Sequence, residues 1–320
     1  MTGFVTKTAP QILVAGAGAM GGIVAAALSA QASVTVYDVN TDHVRAIQAG
    51  GLRVTGLSER LARLAATDTA GTLSGRRFDA VVFLVKSKAT AAAVASLRPV
   101  LQGSPLLVTL QNGMGNDDVL LRETTLPVAR GAMMEAGRYV GPGHVEHLMR
   151  SQTWLGPRRG TPDDVRWFAA LLTGCGMTTE FMADPMGAVW SKFVFNSVMN
   201  PVGTLLLGVN VARYEVAEVR DLIDTMAEEC LAVVRALGAP LAYDPMEPVR
   251  RIRDGRAPMS RHGGSMALDI QRGVPTEIDE LTGYIVREAE RLGISVPTCK
   301  TVCRLVKGLE RAAAIKGGTS

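Results

Sequence analysis

The sequence is poor in cysteine and in aromatic residues. It has 5% aromatic residues and four cysteines in 320 residues, at Cys175, Cys230, Cys299 and Cys303. Four unevenly spaced cysteines do not make a disulfide framework, and the last two lack the second pair of ligands that a zinc site needs. We therefore expect reduced thiols in an aliphatic core, and no metal site.

Long apolar runs are also missing. No segment approaches the roughly 20 apolar residues of a membrane span, and residues 1–10 lack the apolar stretch of a signal peptide. We therefore expect a cytoplasmic protein with no membrane partner.

Excess charge is small, since the net charge is only +4. Basic residues concentrate in one segment without interleaved aromatic residues, so we do not expect nucleic acid as a partner. This cluster is either a solvated loop or a cationic rim that attracts an anionic cofactor or an acid substrate. Its members are Arg250, Arg251, Arg253, Arg256 and Arg261.

What is present begins with a strand, a glycine turn and a helix. The apolar run Gln11–Ala15 leads directly into a turn over residues 16–21, and Gly22–Ala30 is typical of a helix. The first glycine permits the tight turn, the second lets the backbone approach a pyrophosphate, and the third lets helix and strand pack closely. The motif predicts a dinucleotide site whose residues are Gly16, Gly18, Ala19, Met20 and Gly21.

An acidic residue follows the second strand of this unit. The apolar stretch Ser33–Tyr37 ends in Asp38, 22 residues after Gly16. An acid at this spacing accepts hydrogen bonds from the adenosine ribose and repels a 2′-phosphate, which favours NAD over NADP. Alternatively, Asp38 is a turn residue or the cap of the helix expected near Thr41–Gln48.

The strand and helix pattern continues beyond Asp38. Asp79–Val85 and Pro105–Leu110 read as buried strands, with a helix at Ala89–Leu97 between them. Lys86 and Asn112 come just after the two strands. Ligands of open α/β sheets bind at the carboxyl ends of the strands, so both residues are site candidates rather than ordinary loop positions.

Strands are also predicted between Gly131 and Leu155, joined at Gly141-Pro142-Gly143. His144 and His147 fall within this stretch. Two histidines without further ligands do not predict a metal site, and we expect both at surface positions.

The sequence pattern changes after Phe181, where apolar residues recur with helical spacing over segments long enough for helices. A chain of 320 residues exceeds one ordinary core, so two domains are expected. We predict a dinucleotide-binding domain over residues 1–183 and a helical substrate-binding domain over residues 184–320.

A polar stripe marks the first long helix of the second half. Lys192, Asn196 and Asn200 recur at every fourth position of an apolar segment, and Pro201 is expected to end or kink the helix. Steps of four place all three on one side. A buried ammonium or amide without a partner costs roughly 2 kcal/mol or more, so a polar group must meet the stripe. It is either a hydrogen-bond network that fixes a helix crossing or a ligand site, and the dinucleotide motif favours the ligand site.

Together these motifs resemble the ketopantoate reductase (2-dehydropantoate 2-reductase) family over nearly the whole chain. The remaining matches are Asn210, Ser265-Met266 with Asp269, and Thr276-Glu277-Ile278-Asp279. We therefore expect an α/β protein of the 6-phosphogluconate-dehydrogenase-like type, in which a Rossmann-type doubly wound sheet is followed by an all-helical domain. A homodimer is a possible assembly.

The resemblance also implies roles for individual residues. Lys192 would be the general acid, and Glu277 would orient the reacting oxygen or the lysine. Lys86 and Asn112 would lie beside the nicotinamide ribose. The substrate-binding residues would be Asn112, Asn196, Asn200, Asn210 and Ser265. The implied reaction is hydride transfer from NAD(P)H to the ketone of a 2-oxo acid.

Two departures from the family pattern leave alternatives open. Family members use NADPH and carry basic residues after the second strand, whereas this chain has Asp38, so NAD is favoured and NADP is the family-typical alternative. His262 and Leu268 stand where members carry asparagine and glutamine, and His262 either contacts the substrate or belongs to a glycine-rich turn. An NAD-dependent D-2-hydroxyacid dehydrogenase for a bulkier 2-oxo acid is the alternative enzyme. A dinucleotide-binding redox sensor is the alternative without catalysis.

Overall fold

The computed structural model describes residues 9–259 and 263–317. The chain divides into two compact units. The first comprises Met1–Gln111 and Gly115–Pro185, and the second comprises Asn112–Met114 and Met186–Ser320. The tripeptide Asn112–Met114 therefore groups with the second unit although it lies within the sequence of the first.

The first unit carries all the strands of the described residues. They are β1 (Gln11–Ala15), β2 (Ser33–Tyr37), β3 (Leu52–Gly56), β4 (Arg60–Ala62), β5 (Ala65–Thr67), β6 (Ala80–Phe83), β7 (Leu106–Thr109), β8 (Val128–Met133), β9 (Ala136–Gly141), β10 (His144–Met149), β11 (Thr153–Arg159) and β12 (Thr179–Phe181). Its helices are α1 (Ala19–Leu28), α2 (Thr41–Gly50), α3 (Thr90–Leu97), α4 (Asn116–Glu123) and α5 (Pro162–Gly174). Short 3₁₀ helices lie at Ala70–Leu73, Ser87–Ala89 and Arg98–Val100.

The main sheet has eight strands in the order β12-β11-β8-β7-β6-β1-β2-β5. All neighbouring pairs are parallel except β11 with β8. Ile12 and Val14 belong to one hydrophobic cluster, whereas Leu13 and Ala15 belong to another. The sheet therefore buries both faces, as the doubly wound prediction requires. The order reverses between β1 and β6, which places the loops after these strands at the switch point where such sheets bind ligands.

The predicted bounds of β1 and β2 are confirmed residue for residue. The strands predicted at Asp79–Val85 and Pro105–Leu110 are each shorter at both ends. The prediction for α1 was wrong at its start, because the helix begins at Ala19 rather than at Gly22. Gly18 is its N-cap, so the glycine turn supplies the first helical turn itself.

A second sheet in this unit has four strands in the order β4-β3-β10-β9. The prediction that His147 lies at a surface position was wrong. His147 is 3% exposed, and it shares a face of β10 with the buried Val145. His144 is half-buried, and its Nε2 lies 2.9 Å from Oγ1 of Thr55.

Every regular element of the second unit, within the described residues, is a helix. These are α6 (Met186–Leu205), α7 (Ala212–Glu215), α8 (Ala217–Ala236), α9 (Glu247–Arg253), α10 (Ser265–Gln271), α11 (Thr282–Leu292) and α12 (Pro297–Gly317). α6 packs against α8, α10, α11 and α12. No helix in the described ranges is long and apolar enough to span a bilayer.

The prediction that Pro201 ends or kinks α6 near Asn200 was wrong as to the end, because the helix continues to Leu205 with Pro201 inside it. Proline has no backbone N–H, so the carbonyl of Ser197, four residues earlier, lacks its helical donor. The Oγ1 of Thr282 donates to this carbonyl at 2.6 Å, and both residues are fully buried. A side chain of α11 thus replaces the missing helical hydrogen bond.

We expect Thr282→Val to lower the free energy of unfolding by about 1–3 kcal/mol, because it leaves a buried carbonyl without a donor. Urea unfolding followed by circular dichroism measures the change. Pro201→Ala restores an N–H to position 201, so Thr282→Val should be less destabilising in that background. Equal destabilisation in both backgrounds would show that Thr282 does not compensate for the proline.

Three arginines of the basic cluster pair with acidic side chains. Arg250 contacts Asp244, and Arg253 donates to Asp224 at 2.7 Å. Arg256 lies 2.5 Å from Asp254. Arg261 and His262 lie outside the described residues. Arg250, Arg253 and Arg256 therefore form local ion pairs, and the pairs of the more exposed Arg250 and Arg256 are expected to affect stability little.

Candidate active site

The glycine turn after β1 is built as the dinucleotide motif requires. Gly16 has a φ of +89°, and a Cβ there would meet the backbone of Leu84 and Val85 within 2.9 Å. A Cβ on Gly21 would lie 1.8 Å from the carbonyl oxygen of Gly16. A Cβ on Gly18 would meet nothing within 4 Å. The fold thus requires glycine at positions 16 and 21. Gly18 instead borders open space at the start of α1, where a pyrophosphate fits.

The helix N-terminus at this turn adds donors. Ala19 and Met20 occupy the first turn of α1, and the N-cap Gly18 has no side chain to cap it. Backbone N–H groups at a helix start and the helix dipole both favour an anion. The residues present therefore fit the phosphates of a dinucleotide.

Asp38 lies directly against this turn. Its Oδ2 accepts from the N–H of Ala17 at 2.6 Å, and its Oδ1 accepts from the N–H of Asn40 at 2.9 Å. It is not the cap of α2, because Asn40 is that cap and accepts from the N–H of His43 at 3.1 Å. Each carboxylate oxygen accepts one bond and has a second lone pair, so Asp38 can still accept from ribose hydroxyls.

Lys86 follows β6 at the same edge of the sheet. It is exposed and is the N-cap of the 3₁₀ helix Ser87–Ala89. Gln111, which sequence reasoning did not single out, is buried and donates to the carbonyl of Val85 at 2.7 Å. Gln111 thereby links the segment after β7 to the segment after β6, next to Lys86.

The polar stripe of α6 meets a polar partner, as the cost of burying it demands. Lys192 is half-buried, and its Nζ donates to Oδ1 of Asn112 at 2.8 Å. The amide nitrogen of Asn196 lies 3.4 Å from the same oxygen. The partner is a loop residue rather than a facing helix. The structure therefore brings together three of the predicted site residues around one amide oxygen.

The neighbouring Gly113 explains how Asn112 is held. Gly113 has a φ of +78°, and a Cβ there would meet the carbonyl oxygen of Glu280 at 3.0 Å. Met114 packs against the core of the second unit. The tripeptide thus packs against the turn before α11. This packing holds the amide of Asn112 in position to accept from Lys192.

Glu277 lies in that same turn and is 8% exposed. Oε1 of Glu310, on α12, accepts from the N–H and the hydroxyl of Thr276 at 2.7 and 2.6 Å. Sequence reasoning missed this second acid, because only the fold brings α12 to the turn.

The far end of the stripe lies beside α10. Oδ1 of Asn200 is close to Gly264, the N-cap that precedes Ser265. Asn210 is half-buried in the turn after α6, and its carbonyl accepts from the N–H of Arg213 at 3.2 Å. The structure therefore places Asn200 beside the residue that precedes Ser265.

Arg213 is a further residue that the sequence did not reveal. It is 5% exposed, and its Nη1 donates to the carbonyl of Met199 at 3.2 Å. Burial lowers the pKa of its guanidinium below the usual value for arginine. It places a positive charge one residue from Asn200, at the end of the stripe. No signal in the local sequence separates it from a surface arginine.

Comparison with known proteins finds two family models that together match most of the chain. The family model described as ketopantoate reductase PanE/ApbA matches residues 12–160, and its C-terminal model matches residues 184–310. The chain belongs to the ketopantoate reductase family. It is therefore an oxidoreductase of the NAD(P)-dependent 2-oxo acid reductase type. In the described residues, no group of three histidine, cysteine or acidic side chains could hold a metal ion.

Individual relatives cover nearly the whole chain. A 2-dehydropantoate 2-reductase of Halobacterium salinarum is 29% identical over 94% of this chain and 99% of its own length. The crystal structure of a PanE/ApbA family ketopantoate reductase from Ralstonia eutropha JMP134 is 31% identical over 95% of this chain and 99% of that one, with a TM-score of 0.83. D-mandelate dehydrogenase in complex with NADH and anilino(oxo)acetate shares the fold, with a TM-score of 0.87 at 23% identity over 95% of this chain and 99% of that one.

Proposed function

We propose that this protein reduces the ketone of 2-dehydropantoate to a hydroxyl with NADH, and that Lys192 supplies the proton. The observation that carries the proposal is the ammonium of Lys192 on α6, which donates to the amide oxygen of Asn112 at 2.8 Å. The names of the Halobacterium and Ralstonia relatives support the substrate.

The bound cofactor would supply a hydride to the carbonyl carbon of the substrate. As negative charge grows on the carbonyl oxygen, the Lys192 ammonium stabilises it and then donates a proton to it. Lys192 is left as a neutral amine and recovers a proton from solvent. Asn112 offers an acceptor to the ammonium, so it orients the donor before the reaction.

The rest of the stripe would bind the substrate. Asn196 and Asn200 present amides on the same side of α6 as Lys192. Ser265 stands at the first position of α10, beside Asn200. These groups suit the hydroxyl and carboxylate ends of a short polar acid, and Glu277 would orient the reacting oxygen or Lys192.

We infer NAD rather than NADP from Asp38. Its carboxylate has acceptor capacity for the two ribose hydroxyls, whereas a 2′-phosphate would bring a second negative charge against it. Asn40 and the exposed Val39, which follow it, offer no cation to offset that repulsion.

Steady-state kinetics with both cofactors and a panel of 2-oxo acids tests these assignments. The panel comprises 2-dehydropantoate, branched 2-oxo acids and phenylglyoxylate. We expect the highest kcat/KM for 2-dehydropantoate, and for NADH a kcat/KM at least about tenfold above that for NADPH, equivalent to about 1.4 kcal/mol.

Each other outcome has a distinct meaning. A tenfold preference for NADPH would refute the argument from Asp38 but leave the substrate proposal intact. The highest kcat/KM with phenylglyoxylate would identify a D-2-hydroxyacid dehydrogenase for bulkier acids. A protein that binds NADH but oxidises it with no 2-oxo acid would be a redox sensor instead of an enzyme.

A further inference from the structure

A cavity of about 60 Å³ in the first unit plays no part in the proposed reaction. Its apolar side includes Ile23, Ala26 and Ala27 of α1. Its polar lining consists of Ser58, Arg60, Glu135, His147 and Arg150. A single water needs about 10–15 Å³ on this measure, so the cavity has room for a small polyatomic ion.

A chain of polar contacts runs along the wall. Nε2 of His147 lies 2.9 Å from Oε2 of Glu135 and 3.1 Å from the carbonyl of Met149. Nδ1 of His147 lies 2.8 Å from Oγ of Ser58, and Nη2 of Arg150 donates to the same Oγ at 2.8 Å. Glu135 and His147 have side chains only 1% and 3% exposed. Four side chains of the cavity wall are thus connected in the order Glu135, His147, Ser58 and Arg150.

The contacts of Ser58 determine how Arg150 is placed at the cavity. Oγ of Ser58 accepts from Nη2 of Arg150, and the same Oγ lies 2.8 Å from Nδ1 of His147. Ser58 is therefore a positioning residue for this guanidinium, which keeps its other N–H donors for a ligand.

The charges on the wall favour an anion. Two arginines face a single carboxylate, that of Glu135. Over the ranges that the structure covers, neither Arg60 nor Arg150 forms an ion pair with an acidic side chain. Arg60 uses Nη1 on the carbonyls of Ala26 and Ala27, at 2.7 and 3.2 Å. A guanidinium has five N–H donors, so both arginines retain donors for a ligand.

We propose that this cavity binds a small oxyanion of the phosphate class through the guanidinium groups of Arg60 and Arg150. Ser58 positions Arg150, and His147 lies on the same wall. The two guanidinium groups come from β4 and from the residue that follows β10, which suits an anion with several oxygens. The site is separate from the glycine turn at the other end of α1.

Histidine ring NMR tests the proposal directly, because the chain has only four histidines. Inorganic phosphate is titrated into the full-length protein at constant pH and ionic strength, and His147→Gln assigns the ring signal of His147. We expect a saturable shift of that signal. Arg150→Met and Ser58→Ala should each weaken phosphate binding by about tenfold or more. Arg63→Met, which removes an equal charge from an exposed neighbouring position, should leave the affinity unchanged.

Further arms of the titration locate the bound phosphate and define its chemistry. The glycine turn also attracts phosphate, so Gly18→Val should preserve the shift of His147. Glycerol phosphate distinguishes a phosphate monoester from the free ion, and acetate tests a carboxylate. A His147 signal that phosphate does not move would refute the proposal. Equal weakening by Arg63→Met and Arg150→Met, or loss of the shift in Gly18→Val, would also refute it.

Discussion

Lys192→Ala should lower kcat by about 10²-fold or more while leaving the Kd for NADH nearly unchanged. A positioned general acid contributes about 10²–10⁴-fold, and a cation at the reacting oxygen adds electrostatic stabilisation that water replaces poorly. Single-turnover oxidation of NADH measures the chemical step, and fluorescence titration measures the Kd. The reacting oxygen gains charge only in the transition state, so kcat should fall more than KM rises.

Two further variants make this result specific. Lys192→Met keeps most of the apolar stem, so a loss equal to that of Lys192→Ala would assign the effect to the ammonium rather than to packing. Lys300→Met removes an exposed ammonium that pairs with Glu290 on the same unit, and it should retain full turnover. Unchanged turnover in Lys192→Ala would remove this lysine from the mechanism.

Gly18→Val should abolish measurable NADH binding, with a loss of about 10²-fold or more, while the fold stays intact. The new side chain would enter the open space beside the start of α1, where the pyrophosphate is proposed to lie. The φ of Gly18 is −57°, outside the left-handed region that favours glycine. NADH titration and urea unfolding on the same sample separate the two effects.

The contrast with Gly21 sharpens this prediction. Gly21→Ala places a Cβ 1.8 Å from the carbonyl oxygen of Gly16, so it should destabilise the first unit before cofactor binding is considered. Gly71→Val is the matched control, because Gly71 is exposed and a Cβ there meets nothing within 4 Å. If Gly18→Val bound NADH as well as Gly71→Val does, the cofactor would not approach the turn at this residue.

The parts of the fold that the sequence predicts well are those with a strong apolar pattern. β1 and β2 are short apolar runs flanked by turn residues, and each prediction matches the structure at both ends. β3 and β4 were not predicted. They are short and partly exposed, and each draws its stability from pairing with its neighbours, which no local pattern records.

The predictions for His147 and for the end of α6 were both wrong, but only the first error was avoidable from the sequence. His147 lies two residues after the apolar Val145 on β10. Residues two apart on a strand share a face, so the burial of His147 could have been predicted. The continuation of α6 through Pro201 could not, because the compensating hydroxyl of Thr282 lies 85 residues from the Ser197 carbonyl in sequence.

The same limit applies to the site. A spacing of four residues was enough to place Lys192, Asn196 and Asn200 on one side of a helix. The identity of their partner was not predictable from spacing, because Asn112 is 80 residues from Lys192. Its place after a strand and the resemblance to the family both indicated Asn112 as a site residue, but only the structure shows its direct hydrogen bond to Lys192.

The grouping of Asn112–Met114 with the helical unit limits how the gene can be divided. A fragment that starts at Met186 carries the stripe but omits the amide oxygen on which Lys192 and Asn196 converge. Swapping the C-terminal half between relatives would likewise pair one parent's lysine with the other parent's loop. Chimeric enzymes of this architecture therefore need a crossover design that transfers the tripeptide together with the helices.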